Sequence, residues 1–173
     1  TPWIHKDKEW SSEHYLSPSL LTGPLEVDIY GNKVNNALPI AVDGSGIYFD
    51  KIIFEHYGVP PLSETPTWEE IIDKAKRLTG TDPQTGEQTY GIFTRIPADQ
   101  AGYTTTLIAN SYGGDMGMMG AKEYLNQVTL NSPEMVRAAQ TFKQFMPYMP
   151  PGTELGQGAE KWGTGRNNMA IYI

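Results

Sequence analysis

The chain has no cysteine in its 173 residues. That absence excludes disulfides, thiolate nucleophiles and cysteine-based zinc sites. It fits many bacterial exported proteins. Basic residues are also scarce: 13 Lys and Arg stand against 20 Asp and Glu, for a net charge of −7. A nucleic-acid backbone or an anionic membrane would favour a basic patch, so neither is expected as the main partner. No apolar run approaches the roughly 18 residues that cross a bilayer, and no signal peptide is visible at Thr1. Catalytic signatures are missing as well: there is no GxSxG elbow, no P-loop, no HExxH and no GxGxxG. The three histidines, His5, His14 and His56, are scattered, which favours surface or packing roles over a joint metal site.

What is present points to a globular domain rich in loops. Hydrophobic residues make up 39% of the chain, enough for a core, while 18 Gly and 13 Pro imply many turns. Ten Tyr and four Trp supply large flat surfaces for a core or a ligand.

Local patterns divide the chain. "LEVDIY" at 25–30 alternates apolar and polar residues and predicts a strand. "GNK" then reads as a turn into "VNNALPIAV", a hairpin. The stretch "ALPIAVDGSGIYFDK" breaks at Asp43-Gly44-Ser45-Gly46 and resumes at Ile47. This is either a tight turn or a place where backbone makes room for a ligand. "DKIIFEHYG" predicts a short helix with Asp50 as N-cap and Gly58 at its exit. "TWEEIIDKAKRLTG" is the strongest local signal. Thr67 and Glu70 form a capping box, with the Glu reaching back to the first free N–H, and Ile71, Ala75 and Leu78 line one face. "TDPQTGEQ" reads as a polar turn rather than a Ca²⁺ loop, since it lacks EF-hand spacing. "TYGIFT" follows as a strand, and a helix is expected over 99–112.

"NSPEMVRAAQTFKQFMP" predicts a helix with Ser132 as cap, Pro133 at N1, and Met135, Ala139, Phe142 and Met146 on its inner face. A shorter helix is expected over 154–162, and "NNMAIYI" closes as an apolar strand. Trp68 and Trp162 read as packing residues, and "GGDMGMMG" as a mobile loop. Alternation of this kind predicts a layered α/β domain. The chain stops just after a core-type strand, which suggests truncation there.

Several of these pieces share an order with one family. "ALPIAVDGSGIYFDKIIFEHYGV", "PTWEEIIDKAKRLT", "YGIF", "SPEMVRAAQTFKQF" and "WGTGRNNMAIYI" together resemble the extracellular solute-binding proteins of ABC importers, in the maltose-binding-protein-like branch. The match covers about residues 30–173. It departs at Asp50, where the family usually has Asn, and at Asn168-Met169, where it usually has Ala-Met.

The resemblance implies a lobe of the type II periplasmic-binding-protein fold, a layered α/β sheet with helices on both faces, incomplete in this chain. Residues 1–36 would belong to the first lobe or its connection, and 37–173 to the second lobe. The implied activity is capture of a small solute, a mono- or oligosaccharide, between two lobes and its delivery to a membrane permease. No chemistry and no cofactor are implied. The protein would be extracellular or periplasmic, a monomer, and carried on a lipid anchor. Asp43 aligns with a sugar-contacting acid of that branch, with Gly44, Ser45 and Gly46 lining the cleft. A second contact segment brings Arg95, Asp99, Gln100 and Tyr103. Carboxylates, amides and aromatic rings suit the hydroxyls and C–H faces of sugars. Two rival readings stay open: a carbohydrate-active hydrolase fragment using Asp43 and Asp99, and a surface module without a solute.

Overall fold

A computed structural model describes residues 25–27, 33–35, 45–94, 101–114, 131–153 and 161–173 of the chain. The chain forms two compact units, Thr1–Gly44 with Met116–Thr129, and Ser45–Asp115 with Leu130–Ile173. In the first, β1 (Leu25–Val27) pairs antiparallel with β2 (Lys33–Asn35), Leu25 opposite Asn35, which is the expected hairpin.

The second unit is a mixed α/β layer. Its strands are β3 (Tyr48–Phe49), β4 (Gly80–Thr81), β5 (Gln88–Phe93) and β6 (Met169–Tyr172). They lie in the order β3-β6-β5-β4. β5 and β6 run parallel, with Ile92 beside Ile171, while β3 and β4 run antiparallel to their neighbours. The last of these strands in sequence therefore sits inside the sheet. Met169, Ala170 and Ile171 are fully buried there, as the apolar run "MAIY" requires.

Among the described residues there are four helices: α1 (Lys51–His56) packs on β6, α2 (Trp68–Arg77) on β5, and α3 (Ala101–Ser111) on α4 (Pro133–Phe145), which in turn meets α2. α1 starts where expected. Asp50 Oδ1 accepts from the N–H groups of Ile52 and Ile53, at 2.9 and 3.4 Å. Gly58 leaves the helix at φ 62°, a left-handed angle that glycine adopts without strain. Ile71 and Ala75 on α2 and Leu78 at its C-cap are buried, which matches the stripe read from the sequence. Trp68 packs as expected: its ring centre lies 5.9 Å from that of Phe145, and its indole N–H donates to Ser111 Oγ at 2.6 Å.

Where α2 crosses β5, the chain leaves no room for a side chain. A Cβ on Gly91 would lie 1.8 Å from the carbonyl oxygen of Ala75. Glycine is what permits this close helix–strand approach.

Two expectations need correction. The capping box on α2 is only half formed. Thr67 Oγ1 accepts from the Glu70 N–H as predicted. The Glu70 carboxylate instead takes the N–H and hydroxyl of Ser63, at 2.9 and 2.7 Å, and Lys74 Nζ at 2.7 Å. A lysine one turn on offers a charge-assisted bond, which outbids a neutral N–H. These bonds, from Lys74 first and then Ser63, lower the Glu70 pKa to about 2. On α4 the inner face is rotated from the one read off the sequence. Ala138, Thr141 and Phe145 are buried, Met135 and Phe142 flank them, and Ala139 and Met146 are exposed. The large Phe145 ring sets the face, packing against both Trp68 and Phe142. Met146 falls past the helix end, in a short 3-10 turn over Met146–Tyr148.

Candidate solute-binding edge

The parallel pairing of β5 and β6 places their carboxyl ends together, at Phe93-Thr94 and Tyr172-Ile173. The N–H of Ile173 donates to the Phe93 carbonyl there, at 3.0 Å. β3 runs the other way, with Tyr48 opposite Tyr172, so its start lies at the same edge. In open α/β sheets this edge is where ligands bind, because the loops leaving the strands converge there.

Two residues singled out in the sequence meet at this edge. Ser45 Oγ and Tyr103 Oη share a hydrogen bond of 2.6 Å across 58 positions of sequence. Tyr103 is nonetheless 59% exposed, and Tyr48, at the start of β3, is 57% exposed. Gly46 is exposed and faces the Tyr48 ring, which a Cβ on Gly46 would touch at 3.6 Å. The edge thus presents two open aromatic faces, a hydroxyl pair and a stretch of backbone without a side chain. Asp43, Gly44, Arg95, Asp99 and Gln100 lie outside the described residues. So do both acids of the hydrolase reading.

Tyr48 was missed from the sequence, although its place two residues after the Gly-Ser-Gly break was a usable signal. Trp162 was read as packing, and the ring does stack on Tyr172, with centres 5.1 Å apart. Tyr172 in turn meets Phe93 at 5.1 Å. These three rings form a row at the ends of β5 and β6.

The opposite edge carries a polar cleft of about 170 Å³, lined by Asp50, His56, Asp82, Arg166 and Asn167 among others. Its main polar groups already have partners. Asp50 Oδ2 accepts from Asn167 Nδ2 at 2.6 Å. The buried Asp82 carboxylate accepts from His56 Nδ1 at 2.8 Å and from the N–H groups of Gln84 and Thr85. Burial alone would raise its pKa, but these hydrogen bonds outweigh it and the pKa is lowered. An ionised carboxylate only accepts, so Nδ1 of His56 carries the proton. "TDPQTGEQ" is therefore the turn that was expected, and no cluster able to hold a metal occurs among the described residues.

Residues 7–171 match the family model of bacterial extracellular solute-binding proteins. The chain belongs to that family. An ABC substrate-binding protein from Listeria monocytogenes, solved in complex with cycloalternan, superposes on 99% of the chain with a TM-score of 0.64 and 18% identity. At that identity the likeness is one of fold, and it supports the mixed α/β periplasmic-binding-protein architecture. The chain spans 40% of that protein's length. Among the described residues no helix is long and apolar enough to cross a membrane.

Proposed function

We propose that the chain supplies one lobe of a two-lobed receptor that captures a mono- or oligosaccharide for an ABC importer. The observation that carries this reading is the Ser45–Tyr103 hydroxyl pair, with Tyr103 and Tyr48 both exposed at the carboxyl edge of the sheet. Aromatic faces cover sugar C–H surfaces, and hydroxyls both donate to and accept from the sugar's own. Family membership and the oligosaccharide bound to the Listeria protein support the same solute class. Asp43, Gly44, Gly46, Arg95, Asp99 and Gln100 would complete the contacts. The closed, solute-loaded form would dock on a membrane permease outside the cell, with the receptor monomeric and held by a lipid anchor.

Titration of the full-length protein against a panel of sugars tests this. Saturable binding of at least one oligosaccharide, weakened about tenfold or more by Tyr103→Ala, is expected. This chain alone should bind far more weakly, because it would supply half of the cleft. Tight binding of a polyamine, phosphate ester or metal chelate, and of no sugar, would overturn the solute class. Turnover of a glycoside that is lost on Asp43→Asn would favour the hydrolase.

A further inference from the structure

Tyr103 is exposed, yet its neighbour on α3 is among the most buried polar residues of the unit. Thr104 is 3% exposed and Thr94 is fully buried. Their hydroxyls share a hydrogen bond of 2.6 Å, joining the residue just after β5 to the first turn of α3. Successive side chains on a helix point about 100° apart. Thr104 is therefore aimed into the unit while Tyr103 points out of it. The ring is held at two places: at its backbone through the Thr94–Thr104 bond, and at its hydroxyl by Ser45.

We propose that Thr94 and Thr104 are positioning residues for Tyr103, fixing α3 so that the ring reaches Ser45 with its face open to solute. This rests on the solute-binding reading of Tyr103 given above. The chemistry suits a tether. A buried hydroxyl pair satisfies itself only at one separation, so sliding α3 along the end of β5 would strand two polar groups. An apolar contact in the same place would tolerate such a shift, because dispersion has no direction. Ordering the ring before solute arrives also spares the rotamer entropy that a free tyrosine would lose on binding.

The test uses the full-length protein labelled with 3-fluorotyrosine, with Tyr103→Phe assigning the Tyr103 signal in its ¹⁹F spectrum, and cycloalternan as the binding probe. Thr104→Val should move that signal toward the position of free tyrosine, and Thr104→Ser should restore it. Thr104→Val should weaken cycloalternan binding about three- to tenfold, and less than twofold in a Tyr103→Ala background. The double variant Thr94→Val/Thr104→Val removes both hydroxyls at nearly constant shape. It should recover the melting temperature but not the ring signal. Recovery of both would make the pair a packing feature and overturn the proposal, as would an unmoved ring signal in Thr104→Val. Where cycloalternan does not bind, the oligosaccharide selected by the sugar panel replaces it; if no oligosaccharide binds, or Tyr103→Ala leaves its affinity unchanged, the solute reading of Tyr103 fails, and the ring signal still decides the positioning role.

Discussion

Replacing Asp50 with alanine removes two supports at once. Oδ1 caps α1 through Ile52 and Ile53, and Oδ2 accepts from Asn167, 117 residues away, just before β6. Loss of an N-cap costs about 1 kcal/mol. Loss of the half-buried bond from Asn167 adds about 1 kcal/mol, at the low end because Asn167 Nδ2 keeps the Met169 carbonyl as acceptor. The backbone ties at this point, from Asp50 N–H to the Ala170 carbonyl and from Phe54 N–H to the Asp50 carbonyl, survive the substitution. The total is about 2 kcal/mol, or roughly 4–8 °C in Tm for a chain of this size. Asp50→Ser keeps a capping oxygen but cannot also reach Asn167, so it should fall midway. Asp50→Asn cannot serve both either, since its amide nitrogen would face that of Asn167. Urea unfolding followed by circular dichroism reads the difference. A wild-type midpoint for Asp50→Ala would refute the argument. A serine variant no better than alanine would show that the cap contributes nothing.

Gly91→Ala should be the most damaging small change in the unit, because its Cβ meets the Ala75 backbone at 1.8 Å and no flexible side chain can yield; rapid proteolysis of the purified variant would show it. Phe145→Ala should cost about 3–5 kcal/mol by chemical denaturation, since the fully buried ring packs against Trp68 and Phe142. Asp82 has a lowered pKa in the fold, so it contributes stability that is fully present above the ordinary carboxylate value and is lost as pH falls below that value toward the lowered one. Asp82→Asn should therefore lower stability at neutral pH and flatten the acid limb of a Tm-against-pH curve below about pH 4. An unchanged acid limb would refute the assignment.

Most of the second unit was legible because its elements announce themselves locally. Thr67, Ser132 and Asp50 are capping residues, Gly58 marks an exit, and "YGIF" and "MAIYI" are too apolar to lie anywhere but inside a sheet. What local pattern could not supply was competition between partners. Glu70 had a good partner in the capping box and a better one in Lys74, and only the fold brings Ser63 within reach as well. The inner face of α4 was misjudged by one step, because alanines at 138 and 139 look alike until Phe145 has a neighbour. At the candidate site, Ser45 and Tyr103 came from resemblance, and their contact across 58 positions has no sequence signature. Tyr48 was overlooked because an aromatic at the start of a strand reads as core, yet this one is open to solvent.

The place of β6 within the sheet has a consequence for how the chain reaches its native state. β3 and the β4–β5 hairpin are synthesised first, but they do not touch; each pairs with β6 or waits for it. Until residues 169–172 leave the ribosome, one edge of β5 stays bare, with Ile92 and Phe93 beside it. Such an edge invites pairing with other chains, and closing it needs a partner about 80 residues further on. Sheet closure is therefore the slow, long-range step of folding. During synthesis, the nascent chain is most in need of a chaperone in the interval between the emergence of β5 and that of β6.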